Sequence, residues 1–357
     1  MIADLATSVV VPQRTQRGPA RLWIAVATLI LIALVIGSLG IGRYPISLGT
    51  VARVLATLLT GGNGQSGAWT DTEWIVIATV RLPRVLVAMF AGIGLGLSGA
   101  AVQGVFRNPL AGPQVLGISH GAAWGGVIAV LIAANAVTTV GLAFSFALIA
   151  LVFVFLLNRL SGSNNVLAIV LAGVIVSAFF SALVGLAEFL ADPQRQLPGI
   201  VYWLLGSFAA VSGRSAWIIA VPTILAGALL IGLRWRINIL SLGETDATAL
   251  GIDVARLRWG ILGLVTLLVA AQVSVSGAIG WVGLVVPHLA RRLVGPRHED
   301  VLPLSALLGA LLLLGIDDVA RTIVAQEIPI GVLTALVGTP VFAGVFWKSQ
   351  QRGWARD

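Results

Sequence analysis

Residues 22–40 read Leu22-Trp-Ile-Ala-Val-Ala-Thr-Leu-Ile-Leu-Ile-Ala-Leu-Val-Ile-Gly-Ser-Leu-Gly40, nineteen residues without a charge. As an α-helix rising 1.5 Å per residue, such a run is about 28 Å long, close to the ~30 Å hydrocarbon thickness of a bilayer. Arg14, Arg17 and Arg21 precede it, as in a signal peptide. The apolar run is nearer span than leader length, however, and no small-residue cleavage motif follows, so it reads as a retained first span.

Nine similar stretches follow, near 82–105, 114–134, 140–157, 165–187, 215–233, 258–275, 277–294, 301–316 and 329–347. Hydrophobic residues make up 58% of the 357 and charged ones 10%, with 42 glycines. A soluble domain carries about 25% charge. The expected fold class is therefore an all-α membrane protein of about ten transmembrane helices. Its single transmembrane domain covers 22–347, between tails at 1–21 and 348–357. Soluble enzymes, disordered chains and disulfide scaffolds are excluded.

Basic residues set the orientation. With the N-terminus inside, 15 of the 22 Lys and Arg residues fall on the cytoplasmic side, as the positive-inside rule requires. Both termini are then cytoplasmic. Residues 43–80 form an outer segment, opening with an amphipathic stretch from Ile46 to Leu59. Residues 234–257 form a cytoplasmic segment in which acids (Glu244, Asp246) followed by a glycine (Gly251) mark a short helix. A helix there has no lipid to bury in, and it reads either as a surface helix resting on the membrane or as a contact for a partner.

Several chemistries are ruled out by what is missing. The chain has no cysteine and three scattered histidines, His120, His288 and His298, so no metal site is expected. The one lysine, Lys348, has Trp347 and Phe342 where a phosphate-binding loop needs glycines. No catalytic constellation and no cofactor are expected. The basic pI of 11.4 reflects membrane topology, and no nucleic-acid partner is implied.

Small residues recur every four positions at Gly92, Gly96, Ala100 and Gly104, and again at Gly117, Gly121 and Gly125. Such ladders let helices approach closely where lipid removes the hydrophobic drive, and they predict packing inside a bundle. Ser98-Gly99-Ala100 precedes Pro109 by the same eleven residues that separate Ser276-Gly277-Ala278 from Pro287. Five spans lie between the copies, so a duplicated unit would be inverted, a transporter pattern.

Arg81, Arg84 and Arg321 lie on the outer side, against the positive-inside bias. One reading is snorkelling at the interface, with Arg321 tied to Asp317 or Asp318. The other is a basic rim for an acidic partner. Carboxylates (Glu188, Asp317, Asp318) stand only near span ends, which gives little support to a stand-alone ion-coupled transporter.

From Tyr44 onward the chain resembles the FecCD-type permeases of bacterial ABC importers. The resemblance rests on motifs in order: Arg81-Leu-Pro-Arg84, Ser98-Gly-Ala100 through Gln103, Asn108-Pro-Leu-Ala111, Leu116-Gly-Ile-Ser119, Leu171-Ala-Gly-Val174 and Tyr202-Trp-Leu-Leu-Gly-Ser207. They continue with Leu242-Gly-Glu244 through Ala249-Leu-Gly251, Gly280-Trp-Val-Gly-Leu-Val-Val-Pro-His288, Asp317 with Ala320-Arg321, and Glu327-Ile-Pro-Ile-Gly331. Departures are Gly112 where an acid is common, His120, Thr339 and the second carboxylate Asp318.

The resemblance implies a type II importer permease with ten spans in the cytoplasmic (inner) membrane. Its implied partners are a second permease subunit, identical or paralogous, two ATPase subunits and an extracytoplasmic substrate-binding protein. Arg81, Arg84 and Arg321 match positions that meet acidic residues of the binding protein. Leu242, Gly243, Glu244, Asp246, Ala249, Leu250 and Gly251 match the segment that seats on the ATPase. Ser161, Gly162, Ser163, Asn164 and Asn165 match a cytoplasmic gate, and the fifth and tenth spans line the path. A ferric siderophore is the expected cargo, with cobalamin or haem as the alternative.

Overall fold

The computed structural model describes residues 18–62, 68–162, 166–324 and 326–354. Helices α1 (Gly18–Gly40), α2 (Leu48–Leu59) and α3 (Asp71–Ile75) come first, and a π-helical turn (Val76–Arg81) joins α3 to α4 (Leu82–Phe106). Then come α5 (Ile118–Leu131), α6 (Ala136–Leu160), α7 (Val166–Leu190), α8 (Leu197–Leu205), α9 (Gly213–Gly232), α10 (Arg234–Leu242) and α11 (Glu244–Ala249). The chain ends with α12 (Val254–Ser276), α13 (Val282–Val294), α14 (His298–Ala320) and α15 (Ile330–Trp354). No strand occurs among the described residues. All ten apolar stretches contain a helix.

Seven of these helical segments are long and apolar enough to cross a membrane. The departures have local causes. The stretch at 277–294 is not one helix: α12 stops at Ser276, and α13 begins only after Trp281, whose φ is +68°. Close backbone packing holds this break open, because a Cβ on Gly277 would run into the Trp203 carbonyl and one on Gly283 into Pro113. Likewise α5 is preceded by a 3₁₀ turn at Pro113–Leu116. Helix α15 runs on to Trp354, through residues expected to be tail. Amphipathic α2 is capped by Ser47, whose side chain accepts from Thr50 N, and buries Val51 and Val54.

The glycine ladders pack. A Cβ on Gly92 would strike the backbone of Gly309 and one on Gly96 that of Ser305, so α4 and α14 lie backbone to backbone. Gly121 and Gly125 press α5 equally close to α6 at Phe146 and Leu142. Helix α4 is the centre of the bundle, with Val85, Val87, Ala88, Ala91, Ala100, Ala101 and Val102 all inaccessible. The two halves of the sequence repeat sit in different local settings: Ser98-Gly99-Ala100 lies inside α4, whereas Ser276-Gly277-Ala278 straddles the end of α12.

Helices α7 and α15, the expected path-lining pair, each leave an apolar face uncovered. Leu171, Val174, Ile175 and Phe179 are exposed on α7, and Leu336 and Val337 on α15.

Candidate functional site

Polar chemistry is concentrated at the two ends of the bundle. At one end, Arg81, Arg84 and Arg321 come together although Arg321 is 237 positions beyond Arg84. All three are buried, at 5%, 7% and 6% exposure. A buried guanidinium is costly unless its donors are matched, and each of the three is held by carboxylates or carbonyls, with Arg321 Nε left at ion-pair distance (3.8 Å) from Asp317. Arg84 donates from Nε to both Asp317 oxygens at 3.0 Å, from Nη2 to Asp317 Oδ1 at 2.8 Å, and from Nη1 to Glu327 Oε1 at 2.9 Å. Arg81 donates from Nη1 to the carbonyls of Leu39 (2.8 Å) and Gly40 (3.0 Å), and from Nη2 to that of Tyr44. Arg321 bonds Asp318 and donates to the Ser38 carbonyl at 2.6 Å, while Ser38 Oγ donates to Asp318 at 2.5 Å.

The C-terminus of α1, with its orphan carbonyls and partial negative charge, is therefore capped by two arginines from elsewhere in the chain. The extra carboxylate at Asp318 gives one of them a counter-charge. Local sequence makes this possible: Pro83, which cannot donate a backbone bond, follows the wide turn at Val76–Arg81, where π-geometry opens the helix.

The sequence offers these arginines either interfacial snorkelling or a docking role. The structure places them inside the rim, each already engaged. They also line a cavity of about 210 Å³ with Gly42, Arg43, Tyr44, Val76, Val80 and Glu327. Arg43 is exposed, and Glu327 is 29% exposed at its side chain. Neither had been singled out for a charge role, since Glu327 lies 243 positions from Arg84 and no local pattern joins them.

At the opposite end, the short helix expected from Glu244, Asp246 and Gly251 forms as α11, and a second helix, α10, precedes it. Gly243, at φ +155°, separates α10 from α11, a conformation that favours glycine. Gly243 and Ala247 are buried against the bundle, while Thr245, Asp246, Thr248, Ala249, Leu250 and Gly251 face outward. Leu242 and Leu250, exposed at 67% and 62%, bracket α11 with apolar surface. Glu244 pairs with Arg258, a nearly inaccessible guanidinium on α12, so α11 is tied to a core helix. A cavity of about 530 Å³ beside it is lined by Leu233, Trp235, Arg236, Leu250, Gly251 and Asp253, among others.

Of the gate residues, Ser161 and Gly162 form the turn that ends α6, with Ser161 Oγ donating to the Asn158 carbonyl at 2.7 Å and Gly162 at φ +65°. Ser163, Asn164 and Asn165 lie outside the described residues. Among the described residues no cluster of His, Asp and Glu could hold a metal ion.

A sequence profile of the FecCD transport family matches residues 30–348. The chain belongs to the FecCD transport family. This FecCD chain is 42% identical over 328 residues to the molybdate import system permease protein MolB of Haemophilus influenzae, covering 91% of this chain and 95% of that one. It is 42% identical over 276 residues to a probable iron chelatin transport system permease of Helicobacter pylori, covering 77% and 83%. Among solved structures, an inward-facing metal-chelate type ABC transporter superposes with a TM-score of 0.81 at 40% identity, covering 91% of this chain and 98% of that one. The FecCD chain is thus an ABC importer permease, a multi-pass inner-membrane protein with a translocating role.

Proposed function

We propose that this FecCD chain is one of two permease subunits in an importer for a metal species, and that the cargo is a ferric siderophore. A separate ATPase seats on the exposed face of α11, and a substrate-binding protein delivers cargo to the opposite end. Both termini are cytoplasmic. The observation that carries this reading is the build of α11. It is a solvent-facing helix framed by exposed leucines, yet anchored through Glu244 to buried Arg258. A chain without an ATP site must receive work by contact, and a tethered helix transmits a push that a loose loop would absorb.

The binding-protein role belongs to the rim as a whole, with Arg81, Arg84 and Arg321 shaping it from inside. The gate falls to the 161–165 turn, and the path to the apolar faces of α7 and α15. A second cargo, a metal oxyanion, is favoured by one observation. The relative matched over the larger share of both chains is named for molybdate, whereas the iron chelatin relative aligns over less.

The test is to purify the chain with its co-purifying subunits, reconstitute the assembly in liposomes and measure uptake of radiolabelled ferric hydroxamate, ferric catecholate and molybdate. ATP-dependent uptake of a ferric chelate is expected. Uptake of molybdate alone would move the cargo to the second reading. Transport by the chain alone, without ATP, would replace the importer reading with a secondary transporter.

A further inference from the structure

We propose that Glu327 is a displaceable stand-in for an acidic side chain of the binding protein, which takes its place on Arg84 when the two proteins dock. The inference rests on the reading that this rim receives the binding protein.

Arg84 holds two carboxylates of unequal standing. Asp317 belongs to helix α14, is fully buried and occupies the Nε/Nη2 edge of the guanidinium with three hydrogen bonds. Glu327 lies in the connection between α14 and α15, is partly exposed and reaches only Nη1. The Nη1 position borders the 210 Å³ rim cavity, which has room for a carboxylate side chain. Four guanidiniums (Arg43, Arg81, Arg84, Arg321) and three carboxylates (Asp317, Asp318, Glu327) make up the cluster, so it carries one surplus positive charge.

Exchange is the low-cost route for an incoming acid. An empty buried arginine would be unstable before docking, and an arginine locked between two buried carboxylates would have nothing to offer. A partly exposed glutamate solves both problems, because it neutralises Arg84 in the free permease and returns to water when replaced.

The exchange has a path inward. Three residues beyond Glu327, the Ile330 N–H donates to the Gly206 carbonyl at 2.9 Å, and Gly331 packs against the Leu205 backbone. Loss of the Glu327 contact therefore leaves the first turn of α15, a helix assigned to the path, held by these backbone contacts without its tie to Arg84.

The experiment uses the permease–ATPase assembly in nanodiscs and the importer's own binding protein, with affinity measured at low salt. Arg43→Glu, at the exposed edge of the cavity, is expected to weaken docking. Glu327→Gln should tighten it about two- to fivefold, the worth of a partly exposed ion pair. It should also raise hydrogen exchange over residues 326–332 in the absence of the binding protein. Glu73→Gln is the control for general surface charge and should leave affinity unchanged. If Arg43→Glu weakens docking but Glu327→Gln does not tighten it, displacement is overturned and the docking reading stands. Equal tightening by Glu327→Gln and Glu73→Gln would also overturn it, as a diffuse charge effect. If none of the variants alters affinity, both readings fall.

Discussion

Arg84 and Asp317, 233 positions apart, meet at 2.8 Å and fasten α4 to α14 at one end of the bundle. Because Asp317 is fully buried, its removal leaves the Nε/Nη2 edge of Arg84 unpaired inside the bundle, with Glu327 reaching only Nη1. Asp317→Ala should cost about 3–5 kcal/mol, the usual penalty for breaking a buried pair from one side. The paired change Arg84→Met with Asp317→Leu should recover most of that loss. Thermal unfolding of the single and double variants in detergent checks both statements, and equal losses in the two would contradict them.

The α4–α14 contact makes a steric prediction. Gly96→Val would place a side chain on the Ser305 backbone, and overpacking of this kind costs about 1–3 kcal/mol. Gly263→Ala on α12, where the added carbon meets nothing, should be neutral or stabilising by up to about 1 kcal/mol through helix propensity. The same unfolding measurement should separate the two by sign.

Coupling through α11 predicts two distinguishable defects. Leu242→Asp with Leu250→Asp removes the apolar frame and should prevent the ATPase from co-purifying. Glu244→Gln leaves the frame but takes the charge out of the tie to Arg258 and weakens it, so the ATPase should remain attached while transport per ATP hydrolysed falls. Coupled transport at the normal ratio in Glu244→Gln would mean that the tie does not carry force.

Replacing Glu244–Ala249 by a Gly/Ser linker should be more severe than either. It removes the helix itself, and with it both attachment and stimulated turnover. Pull-down of the ATPase and its hydrolysis rate with binding protein present are the two readouts.

How much of this was legible in the sequence depended on distance along the chain. The ten apolar stretches and the Gly92/Gly96 ladder were readable because helix packing repeats every three or four residues. The i−3 and i−4 partners offered for Arg321 were both correct for the same reason: Asp318 bonds it and Asp317 lies at 3.8 Å. By contrast, Arg84–Glu327 and Arg81 with the end of α1 join segments that share no local pattern. The burial of the three arginines was therefore invisible, and outer-side position alone suggested surface groups. The break before α13 was masked by composition, since residues 277–281 are as apolar as a helix. Only the backbone crowding at Gly277 and Gly283 shows why the chain leaves helical geometry there.

The capping of α1 by Arg81 and Arg321 has a consequence for biogenesis. Helix α1 is translated before α14, and the guanidinium that reaches Ser38 is made 283 residues later. Until then α1 must wait in the lipid, held by hydrophobicity and by the earlier clasp from Arg81. A nascent chain that stops short of residue 321 lacks the group that fills Ser38, so the final seating of α1 must follow the synthesis of α14.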